Sequence, residues 1–178
     1  MIQEALSCLV DEINSFFKSK LKINEDKVVL SGLLNADGTI AIREENKIVV
    51  TLVNVEKETA SQNGVIPHTS PPLNINLYVL FSAYFAAANY HEALRFLSFI
   101  MGYLQQKNVF NRTNTPQLDG GIEKLVFEME NLTTEKMNNV WAALGAKYMP
   151  SVMYKMRMLS IDGSIVREFR PEISGIQN

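Results

Sequence analysis

The feature that most constrains the fold is a long apolar stretch in the middle of the chain, residues 73–88. In its first half, apolar residues alternate with Asn74, Asn76 and Tyr78, and beyond Leu80 the stretch is apolar apart from Ser82. Alternation that gives way to a continuous apolar run predicts a strand over 73–81 that passes from half-buried to fully buried. Residues 82–88 either extend this strand or begin a helix. The stretch is too short for a bilayer span, which needs about 20 apolar residues, so no membrane association is expected.

A helix is predicted next, over residues 89–106. Asn89 and Glu92 have the spacing of a capping box. A helix that is apolar on two sides is covered on two sides. One cover is expected to be the sheet, and the other is either the first helix of the same chain or a neighbouring subunit. Its first apolar stripe comprises Tyr90, Ala93, Leu94, Leu97, Met101 and Leu104, and the second, a candidate subunit interface, comprises Phe96, Phe99, Ile100 and Tyr103.

The remaining patterns predict one domain over residues 1–178, of the α/β (α+β) class, in which helices pack on a mixed β-sheet. The length of 178 residues agrees with a single domain. Residues 56–72 form the longest predicted loop, and residues 152–170 a C-terminal hairpin that turns at Asp162-Gly163 and places Arg157 opposite Glu168. Further helices are predicted over 2–20 and 133–145, and further strands over 27–34, 47–55 and 124–130.

Composition and spacing argue against several classes of function. A net charge of −2 and a pI of about 5.7 are unsuited to coating nucleic acid. Cys8 has no partner for an internal disulfide and is expected to be a packing residue. His68 and His91 have no second ligand at metal-binding spacing. No phosphate-binding glycine motif is recognised, and we expect no enzyme activity, metal or cofactor. The N-terminal residues do not have the pattern of a secretory signal.

Four basic residues lie near the C-terminus: Lys155, Arg157, Arg167 and Arg170. They fit two interpretations. One is an exposed hairpin with a cross-strand ion pair, which is weak at a surface. The other is a docking surface for an acidic partner, and on that interpretation these four residues are candidate contacts.

The residues around the apolar stretch resemble a family pattern. It consists of Pro71-Pro72-Leu73, the Asn76-Leu77-Tyr78 core, a helix with apolar positions from Tyr90 to Leu104, and Asn108-Val109-Phe110. This pattern resembles the N-terminal domain of tail-terminator, or cap, proteins of extracellular contractile injection systems. Those systems are phage-tail-like particles of the antifeeding-prophage and virulence-cassette type. The resemblance extends over roughly residues 1–169.

The resemblance implies a structural role and a fold like that of phage tail terminators. Such proteins form a hexameric ring at the end of the tail distal to the baseplate, where they end polymerisation of the inner tube and cap the sheath. The implied partners are further copies of the chain, the sheath protein and the inner-tube protein, with no cofactor, nucleic acid or membrane. The implied location is the bacterial cytoplasm during assembly and then the particle. A monomeric adaptor or assembly chaperone for such a particle is the alternative.

Overall fold

The computed structural model describes residues 1–58 and 74–160. Predictions for Pro71, Pro72, Leu73, Arg167, Arg170, most of the 56–72 loop and the returning half of the hairpin lie outside these ranges. The described helices are α1 (Ile2–Leu21), α2 (Tyr90–Gln106) and α3 (Thr134–Leu144), and the described strands are β1 (Val28–Leu30), β2 (Lys47–Lys57), β3 (Ile75–Tyr84), β4 (Val109–Asn111), β5 (Ile122–Glu130) and β6 (Ser151–Ser160).

All six strands belong to one mixed sheet, in the order β1-β2-β3-β6-β5-β4. β1 runs parallel to β2, and every other neighbouring pair is antiparallel. β2, predicted as an internal strand, lies between β1 and β3. The mixed sheet with packed helices confirms the predicted fold class.

The first face of the sheet is covered by α1 and α2, and we call it the helical face. Alternate residues of β3, including Leu77 and Phe81, point to this face and are fully buried. Phe17 of α1 and Ile100 of α2 are also fully buried against it. Burial of each such side chain contributes about 1.5–3 kcal/mol. The apolar stretch therefore anchors the main core because α1 and α2 both pack over it.

Among the described residues, the opposite face is covered at one end, by α3 and by the connecting segments that include Leu33 and Met149. Trp141 of α3 packs there on Leu33, Val49, Leu80 and Met153. α3, predicted over 133–145, is capped by Thr133, whose Oγ1 accepts a hydrogen bond from the Lys136 backbone N–H at 3.3 Å. Gly145 ends the helix with φ +68°, a left-handed conformation that glycine adopts without strain.

Three local predictions differ from the structure. The strand predicted over 27–34 ends at Leu30, because the chain then leaves the sheet and turns at residues 35–39, where Asn35 N–H bonds the Thr39 carbonyl. The strand predicted over 73–81 continues to Tyr84. Of the two alternatives for residues 82–88, extension of the strand is therefore correct for residues 82–84. The capping box of α2 is absent because the Asn89 amide instead donates to Asn46 Oδ1 at 2.9 Å.

The predicted pairing of the C-terminal hairpin was wrong at Arg157. β6 is an internal strand, and Arg157 lies between Asn76 of β3 and Val126 of β5. Both sides of the strand are therefore occupied at this position by residues other than Glu168, which lies outside the described residues.

Candidate assembly surfaces

The candidate subunit interface on α2 lies largely inside the chain. Phe96, Ile100 and Tyr103 are buried, and Phe99 is half-buried. Phe17 of α1 contacts Phe96, with ring centroids 5.4 Å apart. The second apolar stripe is thus covered by the first helix, which is the alternative that the sequence left open, and it presents little surface to another subunit.

A polar cluster fastens α1 to the end of α2. The Tyr103 hydroxyl donates to Glu12 Oε2 at 3.2 Å, and the Lys107 ammonium donates to the same oxygen. Burial, reinforced by the nearby Glu12 carboxylate, raises the pKa of Tyr103. Gln117 donates to the other oxygen of Glu12, so this one carboxylate joins three segments of the chain. The arrangement is structural, since every group in it is satisfied within the chain.

The candidate basic contacts Lys155 and Arg157 lie on the sheet face opposite α1 and α2, beyond the part that α3 covers. Arg157 is engaged there: its Nε lies 3.1 Å from Glu58 Oε2, and its Nη1 lies 3.8 Å from Glu128. Lys155 lies between Tyr78 and Glu128 in the register. Residues 1–58 and 74–160 include no ion pair to Lys155. This part of the face is a mixed-charge surface, not a basic patch.

The residues of the family motif that the structure describes lie on both faces of the sheet, Leu77 in the core under the helices and Asn76 and Tyr78 on the opposite, polar face. Leu77 is fully buried against the helices. Tyr78, on the polar face, donates its hydroxyl to Glu56 Oε2 at 3.1 Å. Asn76 is buried beside Arg157, and its Oδ1 has no hydrogen-bond partner within residues 1–58 and 74–160. The motif thus specifies β3 as the strand that carries both layers of the fold.

An apolar groove of about 640 Å³ lies at the end of the sheet where β3 ends and β6 begins. Leu33, Ile42, Ala83 and Met149 are among its lining residues. Three further lining residues are exposed: Ile40 (55%), Tyr90 (52%) and Tyr148 (61%). This groove was not expected from the sequence, because Ile40 and Tyr148 lie in connecting segments and Tyr90 was assigned to the buried stripe.

One edge of the sheet, at β4, is closed by a single side chain. Asn114 Nδ2 donates to the Val109 carbonyl at 2.9 Å, and Asn114 Oδ1 accepts from the Asn111 N–H at 3.0 Å. The Asn111 carbonyl accepts from the backbone of Thr115 at 2.8 Å. These bonds occupy the Val109 carbonyl and both outward-facing backbone groups of Asn111, so little of β4 is left for a further strand to pair with.

The other edge is closed for only part of its length. β1 pairs with Ile48–Val50 of β2, whereas β2 continues to Lys57. Within the described ranges, no residue pairs with the outer side of Leu52–Lys57. Val55 in this segment is 45% exposed. The outer side of Leu52–Lys57 is named here the open edge.

The described residues support neither of two kinds of chemical site, a metal site and a nucleophilic cysteine. Across 1–58 and 74–160, no group of His, Cys, Asp and Glu is arranged to bind a metal. Burial, together with Glu12 and Asp11, raises the pKa of the Cys8 thiol, which opposes formation of a nucleophilic thiolate. None of the helices in the same ranges has the length and apolar character needed to cross a bilayer.

Comparison with solved structures identifies the fold. The chain is similar over 100% of its length to the PVC sheath/tube terminator of an extracellular contractile injection system in its extended state, with a TM-score of 0.62 and 12% identity. It is similar over 95% of its length to the tube-terminating cap of the anti-feeding prophage, with a TM-score of 0.53 and 13% identity. The matches cover 62% and 60% of those two chains, so this chain spans about three-fifths of their length. No curated protein matches the sequence.

The family assignment comes from sequence. Residues 5–174 match the family described as the Pvc16 N-terminal domain. This range includes the apolar stretch, α2 and every strand of the sheet, so the match reflects the whole architecture. The resemblance inferred from the motif around β3 is thereby confirmed, and the protein belongs to the Pvc16 N-terminal domain family.

Proposed function

We propose that this chain is a tail-terminator, or cap, protein of a phage-tail-like contractile injection particle. In this role, copies of the chain form a ring, expected to be hexameric, at the end distal to the baseplate. The ring ends polymerisation of the inner tube and caps the sheath. The role is structural and requires no catalysis or cofactor. The protein would assemble in the bacterial cytoplasm and remain in the particle.

The observation that carries this proposal is the fold likeness over the full chain to a sheath/tube terminator. Family membership over residues 5–174 supports it independently of the coordinates. The two solved chains are longer than this chain, which covers 62% and 60% of them. The proposal extends to this chain the role of the whole solved proteins.

The proposed contacts with tube or sheath include Lys155, Arg157, Arg167 and Arg170. Of the two described residues, Lys155 is the better candidate, because Arg157 would have to exchange its Glu58 contact for a new one. Lys155→Gln is expected to weaken binding to purified tube or sheath protein at low salt, with less effect at high salt. Lys136→Gln, an exposed change on α3, is the matched control.

Particle length tests the function directly. In cells that produce the particle, deletion of the gene for this chain should yield tubes and sheaths of irregular and excessive length by negative-stain electron microscopy. Restoring the gene should restore a uniform length. A uniform length distribution after deletion, with the chain absent from wild-type particles, would instead favour an adaptor or chaperone.

Mass measurement tests the ring. Six copies of a 20.1 kDa chain give about 120 kDa, and a closed ring requires a head-to-tail interface between identical copies. We expect this mass in the presence of tube protein, because a bound partner stabilises the assembled state. A complex that contains one copy of the chain and one copy of tube protein would contradict the ring.

A further inference from the structure

We infer that the open edge of β2 binds an extended strand of a different protein of the particle, which joins the sheet beside Leu52–Lys57. The inference rests on the proposed function for the source of that strand. Its physical basis is the hydrogen-bonding state of the two sheet edges.

The backbone of the open edge points outward in alternation. Glu58 donates its backbone N–H to the Asn74 carbonyl at 2.9 Å, so Glu58 faces β3. In an antiparallel pair the residues that face the partner alternate, which places Glu56 toward β3 and turns Val55 and Lys57 outward. Their N–H and C=O groups are the ones that an added strand would bond.

The contrast with β4 shows that the molecule does close an edge when it is not used. Exposed edges are templates for unwanted pairing, and folded proteins protect them. At β4 the Asn114 amide supplies both a donor and an acceptor to the outward groups. At the open edge the one irregularity is a bulge between Leu52 and Asn54, on the side of β3. Among the described residues, a six-residue edge is accessible on one side of the sheet while the opposite edge is largely closed, which indicates a site for strand addition.

The closed β4 edge also identifies the class of occupant. Sheets of identical copies can join head-to-tail around a ring only if both edges of each sheet are free, and β4 is not. Pairing of two open edges with each other would produce a closed twofold dimer, which cannot propagate into a ring. Edge-to-edge pairing of identical sheets therefore does not suit a ring, and we take the strand to come from a different protein of the particle.

Side chains beside the edge indicate what this strand contains. Val55 shares the helical face with Leu77, which favours an apolar residue next to it. On the other face, Glu56 is exposed and its carboxylate is oriented by hydrogen bonds from Asn54 Nδ2 and Tyr78 Oη, both at 3.1 Å. A Lys or Arg of the incoming strand would pair with this carboxylate. The expected segment thus alternates apolar and basic residues.

Amide exchange and one backbone substitution test the inference. In the free chain, the outward amides of Val55 and Lys57 should exchange rapidly, while the Glu56 amide exchanges slowly. Adding purified tube or sheath protein, each separately, should protect the amides of Val55 and Lys57 with one of the two. Val55→Pro removes an outward donor and leaves the β3 ladder intact, so it should weaken that binding about tenfold or more. Val55→Thr keeps the donor and should stay within about twofold of wild type.

Each other outcome overturns the inference in a recognisable way. If tube or sheath protein binds while Val55 and Lys57 still exchange rapidly, the proposed function stands and the edge is not the site. Protection in the free chain means that the edge is already occupied. Protection that rises with the concentration of the chain alone means that a second copy occupies it. If neither tube protein nor sheath protein binds, the proposed function is contradicted, and no partner remains to supply the strand that the inference requires. A circular dichroism spectrum of Val55→Pro that matches wild type establishes that the variant is folded.

Discussion

At the scale of single residues, Asn114 has the clearest structural task, because its amide substitutes for a strand at the β4 edge. Asn114→Ala should lower the free energy of unfolding by about 1 kcal/mol, since the hydrogen bonds of this side chain to Val109, Asn111 and Thr115 are replaced by bonds to water. The freed edge should also make the protein more prone to self-association. Urea denaturation and light scattering measure the two effects.

The control for this change is Asn139→Ala on the exposed side of α3. It should be neutral or slightly stabilising because alanine favours helix. Equal destabilisation by both variants would show that the Asn114 side chain does not close the edge.

A second residue-scale prediction concerns pH. Burial and then the Glu12 carboxylate raise the pKa of Tyr103 in the folded chain above the unfolded value of about 10. A raised folded pKa means that the contribution of neutral Tyr103 is complete below about pH 10 and is lost as pH rises further. Stability should therefore fall above pH 10, and Tyr103→Phe should make that fall shallower. The fall should not disappear, because burial also raises the pKa of Tyr154.

Near neutral pH the same substitution should cost about 1 kcal/mol, from loss of the hydrogen bond to Glu12. Urea midpoints between pH 8 and pH 11 measure both effects. Tyr148→Phe, at a largely exposed position, should reproduce the wild-type curve. An alkaline slope unchanged by Tyr103→Phe would contradict the linkage.

At the scale of elements, α3 is attached to the sheet mainly through Trp141. Trp141→Ala should lower the free energy of unfolding by about 3–5 kcal/mol, because it leaves a cavity above Val49 and Leu80. Trp141→Phe should cost much less, about 1–2 kcal/mol, since the indole Nε1 has no hydrogen-bond partner among the described residues. Circular dichroism under urea measures both. Equal losses would mean that the indole N–H makes a bond in solution.

The periodicity of apolar residues predicted the helices and strands because it reflects which side of each of them is buried. The seven longest helices and strands follow their predicted positions closely, and the Thr133 cap and the Gly145 stop are local signals that the structure confirms. The failures were non-local. Asn89 forgoes its cap for Asn46, which is distant in sequence, and β6 has strands on both sides where a hairpin was predicted. Spacing within one segment contains no information about such partners.

For the candidate sites too, the sequence predicted local properties but not contacts between distant parts of the chain. The sequence showed that α2 has two apolar sides but not that α1 covers the second, because either a helix or a subunit satisfies the same pattern. It identified Lys155 and Arg157 as basic but could not predict the Glu58 contact. The state of the two sheet edges was not predictable, since the open edge depends on β1 being shorter than β2 and the closure of β4 depends on the position of Asn114.

At the scale of the whole molecule, one sheet carries two apolar layers that share its backbone. β3 contributes Phe81 to the helical layer and Leu80 to the layer under α3. Disruption of either layer therefore exposes the strand that supports the other. A structure of this kind should unfold in one cooperative step, as a single domain does.

Trp141 makes this cooperativity measurable, because it is the chain's one tryptophan and reports on the α3 side. Phe96→Ala removes a buried ring on the opposite side and should lower the free energy of unfolding by about 3–5 kcal/mol. The urea midpoint seen by Trp141 fluorescence should shift by the same amount as the midpoint seen by far-ultraviolet circular dichroism. His91→Ala, an exposed change on the same helix, should move neither midpoint appreciably. A fluorescence transition that stays in place while the circular dichroism transition moves would mean that the two layers unfold independently, because the sheet would then transmit no stability between its faces.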